Sequence, residues 1–201
     1  MKQLRVAAIV EGHGEYESIR LLLTRIWQEL LGGEYIEVLR PIRQKRHQLV
    51  KQDGLERAIK LAALKIADAS GGAMPSLILV LLDADEDLPC RLAPKLRELA
   101  KNARSDIDVI CVVANVEYET WFIAAATSLQ DFLNLPTDAP IPDAPEQQRL
   151  GKGWIEQHFK GAKYSETQDQ PAMTAKMDIS LCRERSPSFD KLCRELALRC
   201  G

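Results

Sequence analysis

The sequence contains no pair of cysteines in a C-x-x-C arrangement, and its cysteines are odd in number. This pattern argues against a disulfide framework, which belongs to oxidising compartments, and against a zinc-ribbon site. We therefore expect reduced thiols in a cytoplasmic protein. The cysteines are Cys90, Cys111, Cys182, Cys193 and Cys200.

Long apolar runs and a strong charge of one sign are also lacking. No run approaches the roughly 20 residues that span a bilayer, and the opening "MKQLRVAAIVEG" has too short an apolar stretch for a signal peptide. We therefore expect no membrane partner. The formal net charge is −2, so binding to nucleic acid would require a local basic patch. No G-x-x-x-x-G-K-S/T loop is present, which argues against an ATPase of the P-loop type.

Strand-like and helical patterns alternate over the first 130 residues. The strand-like runs lie at 4–10, 35–41, 76–87 and 107–115. Helical patterns cover about 15–31, about 54–69, a segment that starts between Pro89 and Pro94 and ends near 103, and 116–129. This alternation predicts an α/β fold, because right-handed crossovers between the strands produce a parallel sheet flanked by helices.

The pattern changes after this α/β domain, which we place at 1–130. A linker rich in proline follows at 131–147, with Pro136, Pro140, Pro142 and Pro145. The rest, 148–201, is predicted to be a helical extension packed on the core. Within it, "SPSFDKL" is typical of a helix start, with Ser186 or Ser188 as the cap. An alternative to this purely structural role is that the extension covers the acidic residues described next, with Arg185 or Lys191 in contact with a phosphate.

Acidic residues follow three of the predicted strands. Glu11 ends the first strand, Asp83 and Asp85 end the strand "LILVLL", and Glu117 and Glu119 follow "DVICVVAN". In an open parallel sheet, ligands bind beyond the carboxyl ends of the strands. In extended conformation, residues two apart point to the same face, so Asp83 and Asp85 could reach one ion. Oxygen ligands of this kind suit Mg²⁺ or Mn²⁺.

Glu11, Asp83 and Asp85 are thus the predicted catalytic residues and metal ligands, and Asp87, Glu117 and Glu119 are further candidate ligands. The helix dipole offers another explanation for Glu15, Glu17 and Glu119, since acidic residues are favoured in the first turn of a helix. Asp87 has an alternative role as a turn or cap residue. His13, in the glycine turn, is a candidate general acid or base, with an incidental turn histidine as the alternative.

A basic segment, "RPIRQKRHQLVK", follows the second predicted strand. Its residues Arg43, Lys45 and Arg46 are candidate contacts to the phosphates of a nucleic acid, provided that the segment borders the acidic residues. Arg185 and Lys191 are the candidate phosphate contacts from the extension. The alternative is a solvated loop, which is the usual role of a charged run.

The segments "VEGHGE" and "LLDADED" resemble the TOPRIM fold of topoisomerases, primases and overcoming-lysogenization-defect nucleases. The TOPRIM pattern has a glutamate after its first strand and an aspartate-x-aspartate after a later one, which correspond to Glu11, Asp83 and Asp85. Together with "VEYETWFIAA", "YSETQDQPAMTAKMD" and "SPSFDKLCREL", these segments also resemble the bacterial family catalogued as domain of unknown function 4276. That resemblance covers nearly the whole chain. It implies a TOPRIM-like fold and proximity to ATPases in mobile-element or phage-defence gene clusters.

Two functions of different classes follow from these observations. The first is a Mg²⁺- or Mn²⁺-dependent phosphoryl-transfer enzyme, specifically a nuclease acting on nucleic-acid phosphodiesters. The second is a non-catalytic partner module of an ATPase, in which the acidic residues form a degenerate metal site. A homodimer is compatible with both functions.

Overall fold

A computed structural model describes residues 2–70, 73–135, 141–147 and 151–199. Its sheet has five parallel strands in the order β2-β1-β4-β5, and the short β3 pairs with β1 beyond the end of β2. The strands are β1 (Gln3–Val10), β2 (Tyr35–Val38), β3 (Ile42–Arg43), β4 (Ser76–Asp83) and β5 (Asp108–Ala114). The predicted α/β fold with a parallel sheet flanked by helices is confirmed.

Helices connect the strands and make up most of the described part of the extension. Those of the α/β region are α1 (His13–Arg25, continued by a π-helical turn at Ile26–Leu30), α2 (Arg46–Leu49), α3 (Gln52–Ala67), α4 (Pro89–Ala103) and α5 (Glu119–Ala124). Those of the extension are α6 (Gly151–His158), α7 (Glu166–Lys176), α8 (Ile179–Arg185) and α9 (Pro187–Ala197). Single 3₁₀ turns lie at Ala126–Ser128 and Pro145–Gln147.

The central strands are apolar on both faces because helices cover both faces of the sheet. Val6, Ala8 and Val10 of β1 pack in a core with α1, α5 and the helices of the extension. The alternate residues Ala7 and Ile9 pack in a second core with α3 and α4. The continuous apolar runs that predicted buried strands arise from this double coverage.

Several predicted boundaries are wrong, and backbone geometry explains two of them. The strand predicted at 76–87 ends at Asp83, and Asp85 then adopts a φ of 49°. The helix predicted from 116 begins only at Glu119, after Val116 with a φ of 65°. The segment predicted as a basic loop contains β3 and α2, which are too short to leave a periodic pattern in the sequence.

The helical extension packs on the α/β region. Helix α7 lies against α1 and α9 lies against β5. Phe189 and Leu192 belong to the same buried core as β1 and β4. The predicted helix start is confirmed, because the Ser186 Oγ accepts a hydrogen bond from the Phe189 N at 3.1 Å and Pro187 opens α9.

Some expectations concern residues outside the described ranges, namely Pro136 and Pro140 of the predicted linker and Cys200. The other four cysteines are free thiols. In the part of the chain that the structure describes, no helix is both long and apolar enough to cross a membrane.

Candidate active site

Two of the acidic residues predicted to meet, Glu11 and Asp83, lie at the carboxyl ends of the two central strands. Glu11 directly follows β1, and Asp83 is the last residue of the neighbouring β4. From β1 the chain continues to β2 on one side, whereas β5 lies on the other side of β4. The strand order therefore changes direction between β1 and β4, and ligands bind at such a switch point in open α/β sheets.

Asp83 is the central member of this group. Asp83 is half-buried, and its Oδ1 accepts a hydrogen bond from the Tyr118 N at 2.9 Å. Burial raises the pKa of Asp83 well above its ordinary value. Neighbouring carboxylates raise it further, in decreasing order Glu15, Glu119, Glu11 and Glu117. The site thus collects carboxylates around one aspartate.

Glu11 lies at the mouth of the site. Burial raises its pKa to about 7, and the nearby charge of Asp85 adds to the effect. Its Oε2 is buried and has no hydrogen-bond partner among the described residues. A buried carboxylate oxygen without a donor is costly, so it favours either a proton or a bound cation.

Glu15 joins the site, although the helix dipole alone could explain an acidic residue at this position. It is only 8% exposed, and its Oε2 is buried without a hydrogen-bond partner among the described residues. Burial raises its pKa, and the charge of Glu166 on α7 adds to the effect. The sequence does carry a signal for this position, because Glu15 lies four residues before Ile19, on the apolar stripe of α1.

The two glutamates after β5 are held by the helical extension. The Glu117 Oε2 accepts a hydrogen bond from the Lys152 N at 2.7 Å, and the Glu119 Oε1 accepts one from the Tyr164 hydroxyl at 3.1 Å. Glu119 is 5% exposed, and burial raises its pKa to about 7. The Lys152 Nζ in turn lies 2.5 Å from the Glu166 Oε1.

The extension also contributes a buried amide to this region. Gln170 on α7 is 1% exposed, and its Nε2 has no hydrogen-bond partner among the described residues. The Gln170 side chain lies so close to Gly14 that a Cβ there would collide with it. These contacts of α7 had no signal in the sequence, because about 150 residues separate the partners.

Asp85 and Asp87 do not join Asp83. The extended conformation that would point Asp83 and Asp85 to one face is absent, since β4 ends at Asp83 and Asp85 has a positive φ. Instead, Asp85 and Asp87 bind the guanidinium of Arg46, with an Nε–Oδ2 distance of 3.1 Å and an Nη2–Oδ2 distance of 2.5 Å.

The basic segment borders the acidic residues across an open cleft of about 650 Å³. Acidic residues Glu11 and Asp85 line one part of this cleft. The other part is lined mainly by basic side chains, those of Lys45, Arg46, His47 and Lys51. We call this space the acid–base cleft. Of the predicted phosphate contacts, the structure brings Lys45 and Arg46 to it.

The other predicted phosphate contacts lie elsewhere. Arg43 is exposed on β3 and does not line the acid–base cleft. Arg185 donates hydrogen bonds to the carbonyls of Ala124 and Pro142 at 3.0 and 2.7 Å. Lys191 binds Glu195 and lines a separate, largely apolar cavity of about 510 Å³ between α4, β5 and α9.

His13 is the first residue of α1 and is exposed. It follows Gly12, which lines the acid–base cleft, but His13 itself is not among the lining residues.

The acidic residues suit a divalent cation in their chemical type but not in their arrangement. The donors are all carboxylate oxygens, and Glu11 and Glu15 each offer a buried oxygen without a partner, which suits Mg²⁺ or Mn²⁺. Among the described residues, however, no group of three or more histidine, cysteine, aspartate or glutamate side chains is arranged to hold a metal ion. The donors are therefore of the right chemical type for a divalent cation, but in this structure they do not surround a common point where the cation would bind.

Comparison with known proteins identifies a family. A family model described as "Domain of unknown function (DUF4276)" matches residues 10–197. No curated protein and no solved structure matches the chain significantly.

Proposed function

The chain belongs to the DUF4276 family, and on that premise we propose that it is a divalent-cation-dependent enzyme that hydrolyses phosphodiester bonds of nucleic acid. The observation that carries this proposal is the acid–base cleft at the switch point of the sheet. Carboxylates that favour a cation and side chains that favour an anion line the same opening. A phosphate bound to a divalent cation is the ligand that satisfies both sets.

Each part of the site has a role in this proposal. Glu11, Glu15 and Asp83 would hold Mg²⁺ or Mn²⁺, with Asp85 as a further ligand, and Glu117 and Glu119 lie beside them. Such a cation, when bound, polarises the phosphoryl oxygen and lowers the pKa of a water molecule.

The chain's own residues bind and orient the substrate. Lys45, Arg46 and Lys51 contact the phosphates through their positive charge. His13, beside Gly12 at the start of α1, stays a predicted general acid or base. More specifically, we propose that the chain is a TOPRIM-like nuclease that acts in phage defence or in a mobile element. This part of the proposal depends on the resemblance of "VEGHGE" and "LLDADED" to the TOPRIM pattern.

The test combines Mn²⁺ titration with hydrolysis of a labelled oligonucleotide. We expect Mn²⁺ binding by the unmodified chain and a loss of hydrolysis of at least roughly 100-fold in Glu11→Gln and in Asp83→Asn. Circular dichroism checks that both variants are folded. Glu98→Gln, a matched change at an exposed position on α4, should keep full activity. Hydrolysis without any divalent cation, or full activity in the two site variants, would contradict the proposal.

One observation favours the partner module as a second candidate function. The acidic residues already have structural partners, since Asp83 accepts from the Tyr118 N, Glu117 accepts from the Lys152 N, and Asp85 binds Arg46. A site with these partners holds its loops together without a metal. This candidate predicts a protein that is inert alone and that co-purifies with an ATPase, and hydrolysis by the isolated chain would exclude it.

A further inference from the structure

Arg46 holds the loop after β4 through four contacts. Its Nε lies 3.1 Å from the Asp85 Oδ2 and its Nη2 lies 2.5 Å from the Asp87 Oδ2. It also donates hydrogen bonds to the backbone carbonyls of Asp83 at 3.2 Å and Ala84 at 2.9 Å. The Arg46 side chain is 17% exposed, so a single, mostly buried guanidinium fixes this loop.

The loop that Arg46 holds has a strained backbone. Asp85 has a φ of 49°, in the left-handed region that residues other than glycine rarely adopt. The Asp85 N donates to the Val116 O at 2.9 Å, and Val116, a β-branched residue, has a φ of 65°. Strain of this kind persists only where neighbouring contacts hold it, and it is concentrated at switch regions and ligand sites.

The same guanidinium faces the acid–base cleft, where a phosphate would compete for it. Planar guanidinium groups bind phosphate with two parallel hydrogen bonds, and a phosphate bound through Nε and Nη2 would use the N–H groups that now hold Asp85 and Asp87. Lys45 and Lys51 line the same opening and add positive charge. A phosphate bound in this way removes the partner of Asp85, whose carboxylate lines the cleft together with Glu11.

We propose that Arg46 couples the binding of phosphate to the binding of the cation. When the guanidinium turns to a phosphate, the released Asp85 carboxylate joins Glu11 and Asp83 as a cation ligand. This inference rests on the proposed function. It explains why the carboxylates lie near one another without forming a complete cation site among the described residues. Because coupling between two ligands is reciprocal, each ligand raises the affinity of the other. Arg46 is a positioning residue for Asp85.

The test measures Mn²⁺ affinity with and without sulfate, a tetrahedral dianion that replaces phosphate, at constant ionic strength. The Mn²⁺ affinity of the unmodified chain should rise by roughly 5- to 10-fold in saturating sulfate. In Arg46→Met the rise should disappear, and the Mn²⁺ affinity without sulfate should be no lower than that of the unmodified chain. Arg57→Met, at an exposed position on α3, should keep the full coupling.

A second variant keeps the inference testable in case Arg46→Met does not fold. Asp85→Asn should bind sulfate normally and show no rise in Mn²⁺ affinity. Equal Mn²⁺ affinities with and without sulfate in the unmodified chain, or coupling that survives in Arg46→Met or Asp85→Asn, would overturn the inference. Uncoupled Mn²⁺ binding together with cation-dependent hydrolysis would leave the proposed function standing. A complete absence of Mn²⁺ binding would overturn both.

Discussion

Glu15 and Glu17 show how burial separates two residues that are alike in sequence. Both are glutamates in the first half of α1, and the helix dipole favours acidic residues near that end. Glu15 is almost fully buried beside Asp83, whereas Glu17 is exposed. The dipole explanation is therefore sufficient for Glu17 and insufficient for Glu15, whose buried Oε2 has no hydrogen-bond partner among the described residues.

This difference leads to a paired prediction. Glu15→Gln should weaken Mn²⁺ binding at least about tenfold, because it removes one negative charge from the carboxylates around Asp83. Glu17→Gln, two residues away on the same helix, should leave the affinity unchanged. Isothermal titration of both variants in one buffer measures the difference. Equal losses in the two variants would mean that overall charge sets the affinity, and Glu15 would then have no specific role.

At the scale of the elements, α1 packs against α7 near the site. Gly14 allows this approach, because a Cβ at position 14 would meet the side chain of Gln170 and the backbone carbonyl of Glu166. The same contact brings Glu166 and Gln170 close to Glu15. The packing of these two helices therefore also determines the surroundings of the carboxylates.

Gly14→Ala should lower the free energy of unfolding by about 1–3 kcal/mol, because the added methyl group forces α7 away from α1. The double variant Gly14→Ala/Gln170→Ala should recover much of this loss, since the shortened side chain makes room for the methyl group. Urea unfolding of the two single variants and the double variant gives the coupling energy. Strictly additive losses would show that Gln170 is not the group that the methyl group displaces.

The elements that the sequence predicted well are those whose burial leaves a pattern. The run "LILVLL" is apolar at every position because β4 lies between two cores. β3 and α2 have two and four residues, and stretches this short show no period. The positive φ values of Asp85 and Val116 had no signal either, since neither residue type requires that conformation.

The candidate site was only partly predictable for a related reason. Glu11 and Asp83 could be placed together because the ends of parallel strands share one edge of the sheet. Arg46 and Asp85 are 39 positions apart in the sequence, and their contact depends on the turn after β4. The contributions of Lys152 and Gln170 depend on how the extension packs, which no local pattern encodes.

On the scale of the whole molecule, the buried carboxyl groups make stability depend on pH. The pKa values of Asp83, Glu11, Glu15 and Glu119 are all raised, with burial as the main cause. The folded protein therefore holds protons that the unfolded chain has released. In the range between the ordinary glutamate value of 4.5 and about 7, the contribution of these groups to stability falls as the pH rises.

Glu119→Gln should remove part of this dependence. Without divalent cations, we expect the variant to exceed the unmodified chain in free energy of unfolding by about 1–3 kcal/mol at pH 8, and to show no gain at pH 4.5. The Tyr164 hydroxyl can still donate to the glutamine oxygen, so the hydrogen bond is kept. Urea unfolding in EDTA at both pH values measures the effect, with Glu98→Gln as the exposed control. A gain of the same size at both pH values would mean that titration of Glu119 is not its cause.

The position of α7 against α1 has a consequence for the growing polypeptide. The carboxylate of Glu15 belongs to α1, whereas Glu166 and Gln170 belong to α7, which is synthesised well after α1. Until that helix is made, neither Glu166 nor Gln170 is present beside Glu15, and the Glu166 charge cannot raise its pKa. The raised pKa of Glu15 therefore depends in part on a helix that is made much later than α1, and a growing chain that has not reached α7 lacks that part.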